Sequence, residues 1–429
     1  MNDMAKHDAG PMRLAEAGVG MRARYMLFLL TACYTLAFLD SRLPLILVES
    51  IKADLRLSDT QMGVIVGPAF SVTYAISTIP IARLSDRLRR KHVIAAAIAF
   101  WSICTAAGGA AYNFLSLLFA RTGLAVGESA LTPAAHSMIS DSFPARARGR
   151  AIAIYSTGIT LGIFSSLALG GYINDQYGWR AAMYLVGALG IIMVLLILFT
   201  LREPERATRE ADTGQTRTRA TVRSLLSDPV IRHTIIGGTV LGISLGAISW
   251  IPAYMLRNFD MTTSQVGASY GAAGGVAGLL GIIAGGVVTD ALAKRDARWP
   301  FRFLAAAFVL GALAEICALF LSTVMGFLIL ICIASALLLT YPGPTFGMIQ
   351  SRAGSESRSF ASAVGVFCLQ GIGISTGGLL TGVLSDHLPY DGPAGPLRGA
   401  LTIIALFLIW AAFHYYWATR YLARENVQS

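Results

Sequence analysis

Runs of about twenty apolar residues recur twelve times along this chain, each long enough for a helix to cross a hydrocarbon layer about 30 Å thick. No other feature restricts the fold so strongly, because a backbone in lipid must satisfy its own N–H and C=O groups. The runs predict helices at residues 25–48, 62–83, 92–112, 115–140, 150–174, 180–201, 232–255, 264–289, 302–322, 324–345, 358–382 and 399–420. A water-soluble alternative is excluded by composition: 55% of the 429 residues are hydrophobic and only 14% are charged, too few charges to coat so large a core. The first run is too long for a signal-peptide core and has no small-residue cleavage site after it, so it is expected to remain.

The net charge of +10 raises nucleic acid as a partner, so the placement of the charges decides. Of the 34 lysines and arginines, 27 fall in the N-terminal segment, in the loops after every second run, and in the tail. Short loops rich in Lys and Arg resist translocation, which predicts a multi-pass membrane protein with both termini cytoplasmic; the absence of any Asn-x-Ser/Thr sequon is compatible with a bacterial inner (plasma) membrane. Spread over seven membrane-proximal segments, these charges form no nucleic-acid face. The division that follows is a cytoplasmic segment 1–24, a six-helix bundle 25–201, a cytoplasmic linker 202–231, a second six-helix bundle 232–420 and a cytoplasmic tail 421–429.

The two bundles repeat one another. A small residue followed four positions later by Asp closes the second, fifth, eighth and eleventh runs: Ala82 to Asp86, Gly171 to Asp175, Gly286 to Asp290 and Gly382 to Asp386. Four matches at equivalent helix ends imply a three-helix unit used four times, in an all-α fold of two pseudo-symmetric six-helix bundles. That is the repeat logic of carriers that rock two halves about a central site.

The loop Asp86-Arg87-Leu88-Arg89-Arg90-Lys91 resembles the signature between the second and third helices of the major facilitator superfamily, with Ala82 and Arg89 where that pattern has glycine. Gly286-x-x-x-Asp290-x-x-x-Lys294-Arg295 keeps the same spacing in the second half. Arg121-x6-Glu128-x12-Asp141, with Gly127, is similar to the fourth helix of the spinster-like branch, although Ser41 separates Asp40 from Arg42 where that branch has adjacent Asp-Arg. The resemblance implies alternating access and an amphipathic substrate such as a lysolipid or sphingoid, for which Arg121 would favour an anionic head. Small organic anions, sugars and drugs are the alternative, and Ile163 stands where drug exporters carry a proline in the fifth helix.

Asp40, Arg42, Arg121 and Glu128 are ionisable groups inside predicted spans, each opposed by roughly 2.5–3.5 kcal/mol on insertion scales, so function is the default reading. Arg121 and Glu128 are seven apart, two turns along one face. A carboxylate in a low-dielectric cavity and an arginine beside it compete for charge, so a substrate that engages the arginine can release or admit a proton. Asp40 and Glu128 are therefore expected to be the protonatable groups, Arg121 the partner of an anionic headgroup, and Arg42 the local counter-charge. A buried ion-pair network is the structural alternative. Asp86, Arg87, Arg90, Lys91, Asp141, Arg148 and Asp290 lie at helix ends, where acid facing base can latch two bundles in one conformation, and they are expected to form the conformational gate.

Weaker signals sit in the second half. Tyr270, Tyr341 and Gln370 are candidate substrate contacts, beside Trp250, Pro252, Tyr254, Ser375 and Thr376, and Glu315 is a second mid-span acid. Tyr341-Pro342-Gly343-Pro344 should bend or break the tenth helix. His136 and His233 read as structural. Cys33, Cys104, Cys317, Cys332 and Cys368 lie in apolar runs without a CxxC pair or a histidine cluster, so neither disulfide nor metal site is expected. The GxSxG strings at 242–246 and 373–377 fall within spans with no strand before them and read as helix-packing glycines, not a hydrolase elbow. Without a P-loop lysine or dinucleotide motif, no cofactor is expected and an ion gradient is the energy source. An enzyme would need nucleophile, base and orienting group at one depth, and a sensor an output domain; a monomeric carrier, with lipid, substrate and protons as its partners, fits the residues better.

Overall fold

The computed structural model describes residues 20–204, 223, 225–353, 357–390, 392 and 394–428. Among the described residues there are twelve helical spans and no strand. In the first half these are α1 (Met21–Leu55), α2 (Asp59–Val66 and Pro68–Arg87), α3 (Arg90–Gly109), α4 (Phe114–Glu128 and Leu131–Ser142), and α5 (145–177) and α6 (179–200), which form one stretch, Ala145–Thr200. In the second half they are α7 (Pro229–Phe259), α8 (Thr263–Ala293), α9 (Trp299–Leu319), α10 (Val324–Leu338 and Pro342–Arg352), α11 (Arg358–Val366, Phe367–Ile374 and Ser375–His387) and α12 (Gly395–Ala405 and Phe407–Gln428).

Local chemistry sets the ends and the breaks. Capping boxes open α2 (Ser58 with Gln61), α4 (Asn113 with Ser116) and α8 (Thr262 with Gln265), and the Asp228 carboxylate caps α7 by accepting from the N–H groups of Val230 and Ile231. The loop expected between the fifth and sixth runs is a single residue, Gly178, whose φ of 81° suits glycine and divides the stretch. The 341–344 segment breaks α10 as its prolines require. Residues 367–374 of α11 are π-helical, which the sequence did not reveal.

Each half packs around aromatic side chains shut off from solvent: Trp101 and Tyr155 in the first, Phe301, Phe308 and Tyr415 in the second. The outer faces carry exposed apolar residues such as Ile103, Phe199, Val287 and Leu310, a surface that needs lipid against it. The bundle has two ends. The basic end holds Met21, Arg87, Arg90, Thr200, Pro229 and Arg352; the opposite end holds Leu55, Asp59, Gly109, Phe259, Thr263 and His387. The 202–231 linker falls largely outside the described residues.

Candidate functional site

The first half gathers four charged side chains of α1 and α4, spread over about two helical turns. Asp40 on α1 is 1% exposed, and its Oδ2 accepts a hydrogen bond from Thr105 Oγ1 of α3 at 2.6 Å. The one Thr105 hydroxyl proton also faces Trp101 O at 3.0 Å. Arg121 on α4, equally buried, donates through Nη2 to Ser41 O at 2.9 Å and lies 5.4 Å over the Phe70 ring of α2. Glu128 lies two turns further along α4 and Arg42 follows Ser41 on α1. Arg121 is within electrostatic reach of Asp40, Glu128 and Arg42, and Glu128 within reach of Asp40 and both arginines.

The four groups are neighbours that do not pair. Among the described residues no ion pair joins either acid to either arginine. Asp40 Oδ1, Arg42 Nε, Arg121 Nε and Glu128 Oε1 are buried with no hydrogen-bond partner. An unsatisfied buried polar atom costs about 1–3 kcal/mol. These four side chains thus stand close together without the fixed pairing that a structural ion-pair network makes.

The second-half candidates do not join this set. Tyr270 on α8 is buried beside Glu315 of α9 and Cys332 of α10. Tyr341, at the α10 break, packs 6.5 Å from the Phe346 ring. Gln370 is exposed in the π-helical stretch of α11, one residue before Gly371, which faces Ala75 of α2 across the boundary between the halves. Trp250 donates to Gly378 O and Tyr254 to Leu319 O, both within the second half.

At the basic end, Arg90 is a hub, 1% exposed. Its side chain pairs with Asp141 of α4 and Glu203, and donates to Ser137 Oγ at 2.9 Å and Pro204 O at 2.9 Å. Lys91 donates to Leu198 O and Arg148 to Ser140 O. These contacts tie α3, α4 and the end of α6 to one another, all in one half, so in this conformation they do not bridge the bundles. Asp290 is exposed, and the side chains of Asp86 and Arg87 lie outside the described residues.

The bridging contacts gather at the opposite end, in two related pairs of helices. The Asp175 carboxylate of α5 accepts from the backbone N–H groups of Thr263 (3.2 Å) and Ser264 (2.7 Å), which open α8. The Asp386 carboxylate of α11 accepts from those of Asp59 (3.0 Å) and Thr60 (2.7 Å), which open α2. Each Asp thus caps a helix of the other half, where unpaired N–H groups favour an anion. Gly171 and Gly382, one turn before these acids, let the helices touch: a Cβ at either would lie 2.3 Å from a backbone oxygen, of Thr263 and Asp59 respectively. Arg257 of α7 completes the seal, with Nη2 at 2.7 Å from both Glu49 Oε1 and Asp59 Oδ1 and Nη1 at 2.8 Å from Asp59 Oδ2. Sequence reasoning had read Asp175 and Asp386 only as repeat markers. The signal for their role was present in the paired openings 57–63 (LSDTQMG) and 261–267 (MTTSQVG).

Comparison with known proteins agrees with this architecture. The sequence profile of the Major Facilitator Superfamily matches residues 30–378. An MFS-type efflux pump of Mycolicibacterium smegmatis is 31% identical over 98% of this chain and 96% of its own. The human protein spinster homolog 1 is 28% identical over 55% of this chain and 46% of its own. Among solved structures, a bacterial homologue of the human lysosomal transporter spinster, in an inward-facing and unoccupied conformation, superposes with a TM-score of 0.84 at 24% identity, covering 95% of this chain and 99% of that one.

Proposed function

Because this chain belongs to the Major Facilitator Superfamily, we propose that it is a proton-coupled secondary transporter of an amphipathic organic anion, with Asp40 and Glu128 carrying the proton and Arg121 receiving the anion. The observation that carries this reading is the set of two acids and two arginines placed within electrostatic reach of one another on α1 and α4 and left unpaired. An anionic headgroup at Arg121 would satisfy its free Nε, while Phe70, already stacked on that guanidinium, offers an apolar surface to the rest of the molecule. The bound anion then competes with Glu128 for the positive charge, so substrate and proton are exchanged through one group.

Asp40 is suited to either protonation state. Ionised, it accepts from Thr105; protonated, it donates to Thr105 Oγ1, and the threonine proton turns wholly to Trp101 O. Arg42 supplies positive charge beside the site without a fixed partner of its own.

We assign the basic end to the cytoplasm, since Lys and Arg in short loops stay on that side. The seal of α2 on α11 and α8 on α5 then closes the outer face, and opening requires Asp175, Asp386 and Arg257 to release their partners. The gate of this conformation is accordingly at the outer end, and the Arg90 hub is a brace within one half. The efflux-pump relative, similar over nearly the full length, favours export as the direction.

The test is uptake into proteoliposomes, with and without an imposed pH gradient, of lysophosphatidylglycerol, a sphingoid phosphate and a sugar acid. Gradient-dependent accumulation of either lipid supports the reading; accumulation of the sugar acid alone refutes the amphipathic substrate, and equal movement with and without the gradient, or none, refutes proton coupling.

A further inference from the structure

Asp40 and Arg121 carry opposite charges, lie buried and sit within electrostatic reach of each other, yet each is held by a third group instead. The Arg121 guanidinium donates to Ser41 O at 2.9 Å and lies 5.4 Å over the Phe70 ring. The Asp40 carboxylate accepts from Thr105 Oγ1 at 2.6 Å through Oδ2, while its Oδ1 has no partner. Among the described residues, Thr105 is the one side chain that hydrogen-bonds Asp40.

Thr105 does not depend on Asp40 for a bond of its own. Trp101 O, one turn back on α3, lies 3.0 Å from the same hydroxyl and would satisfy it alone. Nor does Asp40 set where the hydroxyl lies. Glycines of two neighbouring helices let α3 in closely. A Cβ at Gly123 of α4 would lie 2.6 Å from Cys104 Sγ, and one at Gly127 2.8 Å from Trp101 Cβ. On the other side, a Cβ at Gly187 of α6 would lie 2.8 Å from Ser102 O. With α3 wedged at these points, and a β-branched side chain stiff at χ1, the fold itself fixes the Thr105 hydroxyl, at 3% exposure. Taking that hydroxyl away would leave both Asp40 oxygens without a partner, beside a buried guanidinium whose Nε is open. In a low-dielectric interior such an acid and base close on each other.

We propose that Thr105 is a positioning residue for the transported anion: its hydroxyl holds the Asp40 carboxylate and so keeps it from closing on Arg121, whose guanidinium stays open to the anion. Thr105 touches neither the anion nor Arg121, and acts through Asp40. Its counterpart on the basic side is Ser41 O, which holds the guanidinium from the α1 backbone. The openness of the site is then a property that α3 imposes, not one that the four charges have by themselves. This role presupposes Arg121 as the partner of the anion, as proposed above. A neutral threonine inside an apolar run carries no signal of it in the sequence, because the bond to Asp40 spans 65 positions and two helices.

The test is a double-mutant cycle on the purified full-length protein, read as equilibrium binding of radiolabelled lysophosphatidylglycerol. Thr105→Val keeps the shape of the side chain and removes the hydroxyl, and should weaken binding by about tenfold, a usual size for coupling within one polar network. Thr105→Ser, which restores the hydroxyl, should bind as the parent does. Thr105→Val combined with Asp40→Asn should bind as Asp40→Asn does alone, since a neutral amide has no charge with which to capture Arg121. A packing defect in α3 would instead weaken binding in both backgrounds. Parent-like binding by Thr105→Val, or the same loss with Asp40 and with Asn in its place, overturns the role of Thr105 and leaves the anion reading standing. Arg121→Ala separates the two: if it and the parent bind the probe equally, or neither binds it, Arg121 receives no anion of this class and both fall.

Discussion

Gly171→Ala and Gly382→Ala, made together, act chiefly on the outer seal. Each new Cβ would lie 2.3 Å from a backbone carbonyl oxygen of the other half. Carbon and oxygen in close contact lie about 3.3 Å apart or more, so each methyl demands a retreat of about 1 Å. Neither neighbour is a side chain that could rotate away. Overpacking of this kind costs about 1–3 kcal/mol per site, and the clash with the carbonyl oxygens is felt only while the halves touch, whereas the approach of a Gly382 Cβ to Trp250 Cζ2 of the same half, 3.1 Å, is common to both conformations. The helix preference of Ala over Gly, about 1 kcal/mol, is present in both conformations and cancels. Two sites together disfavour the sealed state by about 2–6 kcal/mol, which at about 1.4 kcal/mol per decade shifts the equilibrium by roughly 30-fold or more. The assay is the distance distribution between spin labels at Tyr112→Cys and Ser322→Cys, exposed positions at the outer end of each half, in a background without the five native cysteines. A longer-distance population should appear in the double variant. Gly286→Ala is the control, because nothing lies within 4 Å of a Cβ there. Should the double variant and this control both keep the parent distribution, the close approach of the helices does not hold the seal.

Further outcomes follow from the same contacts. Asp175→Asn and Asp386→Asn keep the side-chain shape but remove the charge from two helix N-termini, each worth about 1 kcal/mol, so the double variant should also populate the longer distance, by a smaller amount; no change would show that the carboxylate charge is not needed. Arg90→Ala leaves Asp141 and Glu203 without their base, and with the arginine 1% exposed the first half should lose about 3–5 kcal/mol. Its thermal unfolding in detergent should start markedly lower, and an unchanged melting curve would refute the brace. Arg121→Lys retains the charge but not the planar fork, so affinity for the transported anion should fall while the pH dependence of transport persists. In the α8–α9 loop, side-chain and backbone hydrogen bonds from Arg298 hold the Asp296 carboxyl down at about 2. That contact is fully present above the ordinary carboxylate value and is lost only as pH falls through about 2, so its NMR titration should show no step near the usual carboxylate range.

The architecture was legible because lipid imposes one rule on every span: about twenty apolar residues and an internally bonded backbone. Errors at the ends came from helices that outrun the apolar layer, as α1 does over Met21–Leu55 against an expected 25–48, and from the one-residue turn at Gly178. The charges of the site were legible too, because an ionisable group inside a span is conspicuous. Their unpaired state was not, since it depends on where Thr105, Ser41 and Phe70 bring their partners. The outer seal escaped for a related reason: Asp386 meets the amide of Asp59 across 327 positions of sequence, and only the bundled halves bring them together. In the second half, Tyr270, Tyr341 and Gln370 were chosen by helix number, and depth and facing, which a hydropathy pattern does not encode, separate them from the first-half charges.

The account turns on Glu128 and Asp40 linking the movement of an anion to that of a proton. The most direct measurement compares two modes of transport in the same proteoliposomes, accumulation against a concentration gradient driven by a pH gradient, and exchange of labelled for unlabelled substrate without one. The parent protein should do both, whereas Glu128→Gln and Asp40→Asn should retain exchange and lose accumulation. Accumulation at the parent level in both variants would contradict the account.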